Sequence, residues 1–584
     1  MSCKHVLACA AAFSVVAFVV AACGGAQPTA PAQTATPVPS LTPASPATPT
    51  AAPTITPSPR PTAIPTPVPP TPTPAAPPPK YGGTLTMRMS RTFDVGDTYR
   101  TDTAFSIIWL QNLLNNVTAL NSKQPSKIEP DTAERWEIGQ DARSATFYLR
   151  KDVVWSDGKP FTAADVKFNL ERGAFPTDPR ATQNKAALAA LDRVEVTDEY
   201  TVRAVLKRPS VSFLPSVSVP FMLMYPAHFP EASRWDGKPA TGPYKLKERR
   251  VDVSFDLERN PGYFKKDSAG RQLPFLDGIR IFVIPDQASV LAAFRSGNIN
   301  CACGFGSDIL VTQIDQIRSS IPNVKLAVAN PLDAKIFFGS KPPMDDVRVR
   351  RAVSLWIDRR QVHAVFREGK AFYPPGYLLA PELGGLWGLP KEEILQIPGF
   401  REPKTIDLDE ARRLLSQAGI NPSTFEFDLI APAPSYTDLG ELIANVMINS
   451  GLRVRYRPLR DPESAPLYEQ NNFHMGILPA GSAIDDPSGL LLTMMAPGGG
   501  RNFGKWEDQE MSRLIDAQEG SLDVAKRREL LRNLQRRLHE LAWVIPIVNV
   551  PGLYGAWPYI EDIELERQAD ITSFHRIERL WMSR

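Results

Sequence analysis

Polar and apolar residues alternate from residue 145 to 150, and this pattern predicts a strand with one buried face. Phe147 and Leu149 lie on the apolar side, whereas Thr146 and Tyr148 lie on the opposite side. Because successive side chains of a strand point to opposite faces, a period of two residues is typical of a strand that covers a core.

A turn and a helix are predicted directly after this strand. The run 156–160 contains Ser, Asp, Gly and Pro, the residue types of a tight turn, so Trp155 is expected to fold back over the end of the hairpin. Thr162 and Asp165 have the spacing of a capping box. The apolar residues between 166 and 170 then give the predicted helix its buried side.

Further helices and strands are predicted along the chain. A strand and an amphipathic helix span 279–300 and end near Gly297, and the run 407–419 is typical of a capped helix. Leucines recur on one side of 526–539, opposite six arginines and lysines, before a buried strand at 544–548. We expect the basic side to be solvated on a docked helix, and membrane binding is the alternative.

The helix predicted after Asp345 or Asp346 has its own pattern. Either aspartate is suited to cap the helix, and the apolar stripe includes Val349 and Val353. The arginines of this helix are expected on its solvent side.

Several of these segments resemble one protein family. The run RKDVVWSDGKPFTAADVKFNLER at 150–172 resembles the signature of the extracytoplasmic solute-binding proteins of family 5, the peptide, dipeptide and nickel receptors of ABC importers. Other runs resemble the family in the same order. They are GGTL at 82–85, VEVTDEYTVRAVLKRP at 194–209, TGPY at 241–244, LERNPGYF at 257–264 and KPPMDDVRVRRAV at 341–353. The resemblance covers about residues 80 to 580.

The resemblance implies an α/β protein with the periplasmic-binding-protein type II fold. Such a protein has two lobes joined by hinge-crossing strands and, in this family, an extra N-terminal subdomain. The implied boundaries are 80–119 and 241–335 for lobe I, 120–240 for the subdomain, 336–543 for lobe II and 544–584 for the return to lobe I.

The N-terminal residues have the features of an export signal. A short apolar run precedes Val20-Ala21-Ala22-Cys23, which resembles a bacterial lipobox, so residues 1–22 are expected to be a signal peptide and Cys23 to be lipidated. An uncleaved anchor helix or an ordinary signal peptide is the alternative. Residues 23–79 are rich in Pro and Thr and form the expected tether, either a stalk that lifts the domain off the membrane or an inert linker.

The composition does not indicate a particular ligand class, and the absence of known catalytic motifs in the sequence argues against an enzyme. The 584 residues carry a net charge of only +3, which gives no argument for nucleic acid. The chain has no GxSxG nucleophile elbow and no GxxxxGK[ST] phosphate loop, and Trp543 replaces the second histidine of an HExxH motif. An enzyme and a non-transporting sensor or scaffold remain as the rival classes.

Cys301 and Cys303 are separated by a single alanine. Residues two apart on a strand rarely meet disulfide geometry, and a metal site needs more ligands than two. We expect unlinked thiols here, with a strained or redox-active bridge and a metal site as alternatives.

The run 473–487 departs from the peptide-binding relatives. Alignment on its closing Asp-Pro places Ala480 where the resemblance expects a tryptophan, and Ala483 where it expects the aspartate that binds the peptide's ammonium group. Asp485 or Asp486 can serve as a shifted anchor or as an ordinary turn cap. A ligand other than an ordinary peptide is therefore an alternative.

The expected function is that of a lipid-anchored receptor that captures a peptide or peptide-like solute by cleft closure. The alternative ligands are a nickel chelate, an oligosaccharide or an opine-like molecule. The chain is expected to be a monomer on the outer side of the cell membrane, to serve ABC permease subunits with separate ATPase subunits, and to have no catalytic residue, metal or cofactor. The candidate ligand-binding residues are Trp109, Phe305, Ser482, Asp485 and Asp486.

Overall fold

The structure of the chain is a computed structural model. It describes residues 77–89, 96–99, 107–121, 127–176, 185, 187–229, 237–304, 308–378, 385–433, 436–480, 486–563 and 577–584. The predicted signal peptide, Cys23 and nearly all of the tether lie outside these residues.

The alternating run forms a strand, Ser144–Leu149, as predicted. Phe147 and Leu149 are buried, and so is Trp155, whose ring centroid lies 5.8 Å from that of Phe161. The expected packing of Trp155 over the end of the hairpin is therefore confirmed.

The turn and the helix after this strand also follow the prediction. Gly158 has φ +89°, a conformation that glycine adopts without steric cost. The helix Ala163–Ala174 begins after Thr162, whose backbone N–H donates a 2.8 Å hydrogen bond to the Asp165 carboxylate. This bond is one half of the predicted capping box.

Strands are distributed along the whole described chain. In chain order they are β1 (Thr84–Met89), β2 (Thr118–Leu120), β3 (Ile128–Pro130), β4 (Ala133–Ile138), β5 (Ser144–Leu149), β6 (Leu191–Asp198), β7 (Thr201–Leu206), β8 (Tyr244–Arg250), β9 (Ser254–Arg259), β10 (Gly278–Val283), β11 (Cys301–Ala302), β12 (Lys325–Phe338), β13 (Glu426–Pro432), β14 (Arg453–Leu459), β15 (Met475–Pro479), β16 (Val544–Ala556), β17 (Ile560–Glu561) and β18 (Trp581–Met582).

The helices are interspersed with these strands. In chain order they are α1 (Ile107–Leu110), α2 (Ala163–Ala174), α3 (Phe213–Val217), α4 (Gln287–Arg295), α5 (Ile314–Ser320), α6 (Val347–Trp356), α7 (Arg359–Val365), α8 (Lys391–Ile394), α9 (Thr405–Gln417), α10 (Thr437–Asn449), α11 (Asp461–Glu469), α12 (Ser488–Met494), α13 (Gln509–Glu519) and α14 (Val524–Leu541). Short 3₁₀ turns lie at Pro220–Met222, Val311–Gln313 and Phe366–Gly369. Within the described ranges no helix is both long enough and apolar enough to cross a bilayer.

Three of the five sheets in the described chain have four or more strands. One has the strand order β1-β10-β9-β8 and a second has the order β4-β5-β7-β6. The third has the order β11-β16-β12-β15-β13-β14. The second sheet falls inside the predicted subdomain, although the residue boundaries of the lobes stay a prediction.

Two long strands run through the third sheet. β12 has 14 residues and β16 has 13, and they pair antiparallel from Lys325 opposite Ala556 to Phe337 opposite Val544. The strand predicted at 544–548 is therefore much longer than expected. At one end β16 pairs with the short β11, whereas β12 pairs with β15 near its other end.

The two faces of the third sheet pack on different cores. Ala334 and Ile336 of β12 belong to a core with α6, α9 and α10, whereas Phe337 belongs to a core with α13 and α14. Leu478 and Ala480, at the end of β15, lie in the same core as Phe337. The second face therefore carries the candidate site at the end of β15.

The expectation that Cys301 and Cys303 are unlinked is wrong, because the structure joins them by a disulfide bond. Their Cα atoms lie 5.2 Å apart, within the range that a disulfide can span. Two residues of an extended strand would separate these atoms by roughly 6.6 Å. The chain leaves β11 after Ala302, and this contraction brings the sulfur atoms together.

The expectation for the arginines of α6 is wrong at Arg350. Arg348 is half-exposed as expected, but Arg350 is buried and donates to the carbonyl oxygens of Met344, Asp345 and Leu541. Three carbonyl acceptors replace the water that its guanidinium would otherwise need.

Candidate ligand-binding site

Lys335 of β12 is a buried charged side chain beside the end of β15. Lys335 lies opposite Leu478 in the antiparallel pair, so their side chains share the face that carries Phe337. Lys335 is 1% exposed. A buried ammonium group needs partners that offset its desolvation, which makes this position a candidate for function.

The loop after β15 contains most of the predicted site residues. Ser482 and Asp485 lie outside the described residues, and Ala480 before the loop is buried. Asp486, at the other end of the loop, is described. The ligand-binding roles of Ser482 and Asp485 stay predictions.

Asp486 is held by Arg527 of α14. The two side chains form a bidentate pair with distances of 2.7 and 2.9 Å, and both are almost fully buried. Asp486 also accepts a 3.0 Å hydrogen bond from the backbone N–H of Ser488, which is the turn-cap role predicted as the alternative to ligand binding. Its predicted contact with a ligand stays untested.

Arg527 connects this pair to the end of α13. Its guanidinium donates to Gln518 Oε1 at 2.9 Å and to Ser488 Oγ at 2.9 Å. The amide of Gln518 in turn donates to Glu519 Oε1 at 2.8 Å. The expectation that the basic residues of this helix are all solvated is thus wrong at Arg527, because its charge is matched inside the protein.

Glu519, the last residue of α13, forms hydrogen bonds with the segment that follows β7. Its Oε2 atom accepts hydrogen bonds from Ser210 Oγ at 2.9 Å and Ser212 Oγ at 2.7 Å. The backbone N–H of Val211 donates to the Glu519 carbonyl at 2.8 Å. Glu519 is 1% exposed, so this contact is a fully desolvated docking point between the two regions.

Arg501 is a second cation beside the end of β15. Its Nη2 atom donates to the Pro479 carbonyl at 2.8 Å. Burial lowers the pKa of Arg501, because the charged form loses hydration. Among the residues that the structure describes, no carboxylate forms an ion pair with it.

Trp109 and Phe305 do not both fall within the described chain. Phe305 lies outside it. Trp109 is 2% exposed and stacks on Phe255 with ring centroids 5.1 Å apart. The indole nitrogen of Trp109 is buried and has no hydrogen-bond partner among the described residues. Its packing is that of a core residue, and its predicted ligand contact stays untested.

A small cavity lies at the end of β12 near Arg501. Its volume of about 200 Å³ is below the roughly 300–1,000 Å³ typical of ligand pockets. The lining residues are mostly aromatic or aliphatic: Phe337, Phe338, Met494, Met495, Asn502, Phe503, Gly504, Trp506, Trp543 and Val544.

The sequence interpretation missed four charged residues of this region. Lys335 interrupts the apolar run AKIFF, and a lysine inside a predicted buried strand could have indicated a functional position. Arg501, Glu519 and Arg527 lie among other polar residues, and the sequence pattern does not distinguish a buried charge from a solvated one there.

The fold and the site together define a two-lobed solute-binding protein with mixed α/β structure. The model of the bacterial extracellular solute-binding proteins, family 5, matches residues 127–502. The chain belongs to this family, and it is the extracytoplasmic solute-binding protein of an ABC importer.

Known proteins resemble the chain over most of its length. It is 25% identical over 472 residues to heme-binding protein A of Haemophilus influenzae, covering 75% of this chain and 82% of that protein. It is also 25% identical over 483 residues to the probable di/tripeptide-binding protein 5 of Pseudomonas aeruginosa, covering 75% and 84% of the two chains.

A solved structure supports the same fold. A DppA protein of Helicobacter pylori, in complex with the peptide STSA, superposes with a TM-score of 0.70 at 19% identity. The match covers 86% of this chain and 99% of that one. At 19% identity this likeness establishes the fold and does not identify the ligand.

Proposed function

We propose that the protein captures a peptide or peptide-like solute at the loop after β15 and delivers it to a membrane permease. The observation that carries this proposal is the set of buried charged side chains around that loop, namely Lys335, Asp486 and Arg527. Buried charges placed by rigid strands and helices are the groups that orient a polar ligand in an apolar pocket.

The docking of Glu519 on Ser210 and Ser212 supports a capture mechanism by closure. A ligand favours the closed form only if it makes contacts there that the open form lacks. In the proposed mechanism the ligand adds its own contacts to those of Glu519, and this difference in free energy shifts the population toward the closed form.

Membrane attachment is part of the proposal. Cys23 carries the lipid anchor after removal of residues 1–22, and residues 24–79 tether the domain to the membrane. A Cys23→Ser variant is then expected to lose incorporation of a radiolabelled fatty acid. The protein acts as a monomeric receptor without catalysis, and its partners are permease subunits with separate ATPase subunits.

The second candidate is a receptor for a non-peptide ligand. Two small residues favour it, since Ala480 and Ala483 stand where a tryptophan and an ammonium-binding aspartate are expected from the resemblance. Trp109, Phe305, Ser482 and Asp485 remain proposed ligand contacts under both candidates. A sensor or scaffold that binds a solute without transport is the remaining alternative.

A thermal-unfolding titration tests peptide capture. The full chain in mild detergent is heated with and without a pool of random tetrapeptides. A ligand that binds only the folded protein stabilises it by RT ln(1 + [L]/Kd), so the melting temperature is expected to rise with peptide concentration. A melting temperature that no peptide concentration changes would contradict the proposal.

A further inference from the structure

A chain of hydrogen bonds runs from the end of the loop after β15 to the segment after β7. Asp486 pairs with Arg527, and Arg527 Nε donates to Gln518 Oε1 at 2.9 Å. Gln518 Nε2 then donates to Glu519 Oε1 at 2.8 Å. The other carboxylate oxygen of Glu519 accepts from serine hydroxyls of the segment after β7. The two regions are thus joined by consecutive polar contacts.

The side chains of this hydrogen-bond chain are buried. Gln518 is fully buried, and Asp486, Glu519 and Arg527 are almost fully buried. Because water does not compete for such groups, a broken hydrogen bond leaves its partner unsatisfied. A displacement at one end of the chain is therefore opposed by the contacts at the other end.

Gln518 joins a cation to an anion within this chain. Its amide oxygen accepts from the Arg527 guanidinium, and its amide nitrogen donates to the Glu519 carboxylate. An amide side chain carries both an acceptor and donors, whereas an ionised carboxylate only accepts and a thioether is a weak acceptor. The amide nitrogen also lies 3.2 Å from Ser488 Oγ. These contacts fix the orientation of the amide.

The backbone provides a separate report of the contact at the end of α13. The Val211 N–H donates to the Glu519 carbonyl at 2.8 Å. An amide that is hydrogen-bonded at a buried contact exchanges with solvent only when that contact opens. Exchange of the Val211 amide therefore measures how often α13 separates from the segment after β7.

We propose that Gln518 is a positioning residue that couples ligand binding at the loop after β15 to docking of α13 on the segment after β7. A ligand that contacts the loop holds Asp486 and Arg527 in place, and Gln518 transmits this restraint to the Glu519 carboxylate. The inference rests on the proposed function and assigns a residue to its closure step. Such coupling requires that ligand binding and docking favour the same state.

Hydrogen exchange of residues 207–214, read by mass spectrometry, measures docking separately from affinity. The full chain in mild detergent is labelled in deuterated water with and without the tetrapeptide pool, at a concentration that saturates each protein in a calorimetric titration. In the parent protein the pool is expected to slow exchange of this segment about tenfold or more. In Gln518→Met the slowing is expected to be less than about threefold, because the acceptor for Arg527 and the donor for Glu519 are both lost.

A second variant and a control complete the comparison. Gln518→Glu keeps an acceptor for Arg527 but has no donor for Glu519 when ionised, so it is expected to lose the slowing as well. Gln417→Met is the matched control, because Gln417 is the exposed last residue of α9. It is expected to show the same slowing as the parent protein.

The outcomes separate this inference from the proposed function. If Gln518 only stabilised the fold, both Gln518 variants would exchange faster without ligand, yet the pool would slow exchange by the same factor as in the parent. That result would overturn the coupling and leave peptide capture intact. A parent protein that binds the pool without slower exchange at 207–214 would overturn it equally. A parent protein that binds no peptide in the titration would overturn peptide capture, and this inference with it.

Discussion

At the scale of single residues, Asp486 and Arg527 form a buried ion pair. Replacement of Asp486 by Ala would leave the Arg527 guanidinium buried without its counter-ion. Loss of one partner from a buried pair typically costs about 3–5 kcal/mol. We therefore expect Asp486→Ala to lower the free energy of unfolding by that amount in a urea titration.

An exposed aspartate provides the matched control for this prediction. Asp409 is 75% exposed and pairs with Arg412 on the surface of α9. Asp409→Ala is expected to change the free energy of unfolding by less than about 0.5 kcal/mol. If both variants unfold at the same urea concentration as the parent protein, the supporting role of Asp486 is refuted.

Local chemistry made several residues predictable. The spacing of Thr162 and Asp165 predicted their cap, and the turn composition predicted the positive φ of Gly158. Arg350 was not predictable, because its acceptors include the Leu541 carbonyl from the distant end of α14. A periodic pattern identifies the polar side of a helix but does not reveal what another element brings against it.

At the scale of elements, the contact between the end of α13 and the segment after β7 is expected to control closure. A Ser210→Ala, Ser212→Ala double variant removes both hydroxyl donors from Glu519 Oε2 while the carboxylate stays buried. An unsatisfied buried acceptor costs about 1–3 kcal/mol. This cost is expected to destabilise the docked form, so peptide affinity is expected to decrease about 5- to 150-fold in calorimetric titrations.

Exposed serines distinguish docking from a general effect of serine removal. Ser319 on α5 and Ser416 on α9 are exposed. The Ser319→Ala, Ser416→Ala double variant is expected to bind peptides like the parent protein. Unchanged affinity in the Ser210, Ser212 variant would mean that this contact does not favour the ligand-bound form.

Elements were more predictable than their lengths and cross-links. The helix α14 follows from its sequence pattern. The full length of β16 does not, because its second half is defined by pairing with β12 and β11. The disulfide of Cys301 and Cys303 likewise depends on a local contraction that spacing alone does not reveal.

At the scale of the whole molecule, the sequence predicted the family and the two-lobed fold. The match over residues 127–502 and the superposition on a peptide-bound relative agree with that prediction. The candidate site was only partly predictable. Strand register and contacts between distant segments determine which charged side chains are buried near the candidate site, and the sequence does not show these contacts. The charged residues concerned are Lys335, Arg501, Glu519 and Arg527.

The most direct test of the central claim is native mass spectrometry of the purified full chain, followed by denaturation to identify any released ligand. We expect a population whose added mass corresponds to a bound peptide. An empty chain that also acquires no mass when mixed with the tetrapeptide pool would contradict the claim that this protein captures peptides.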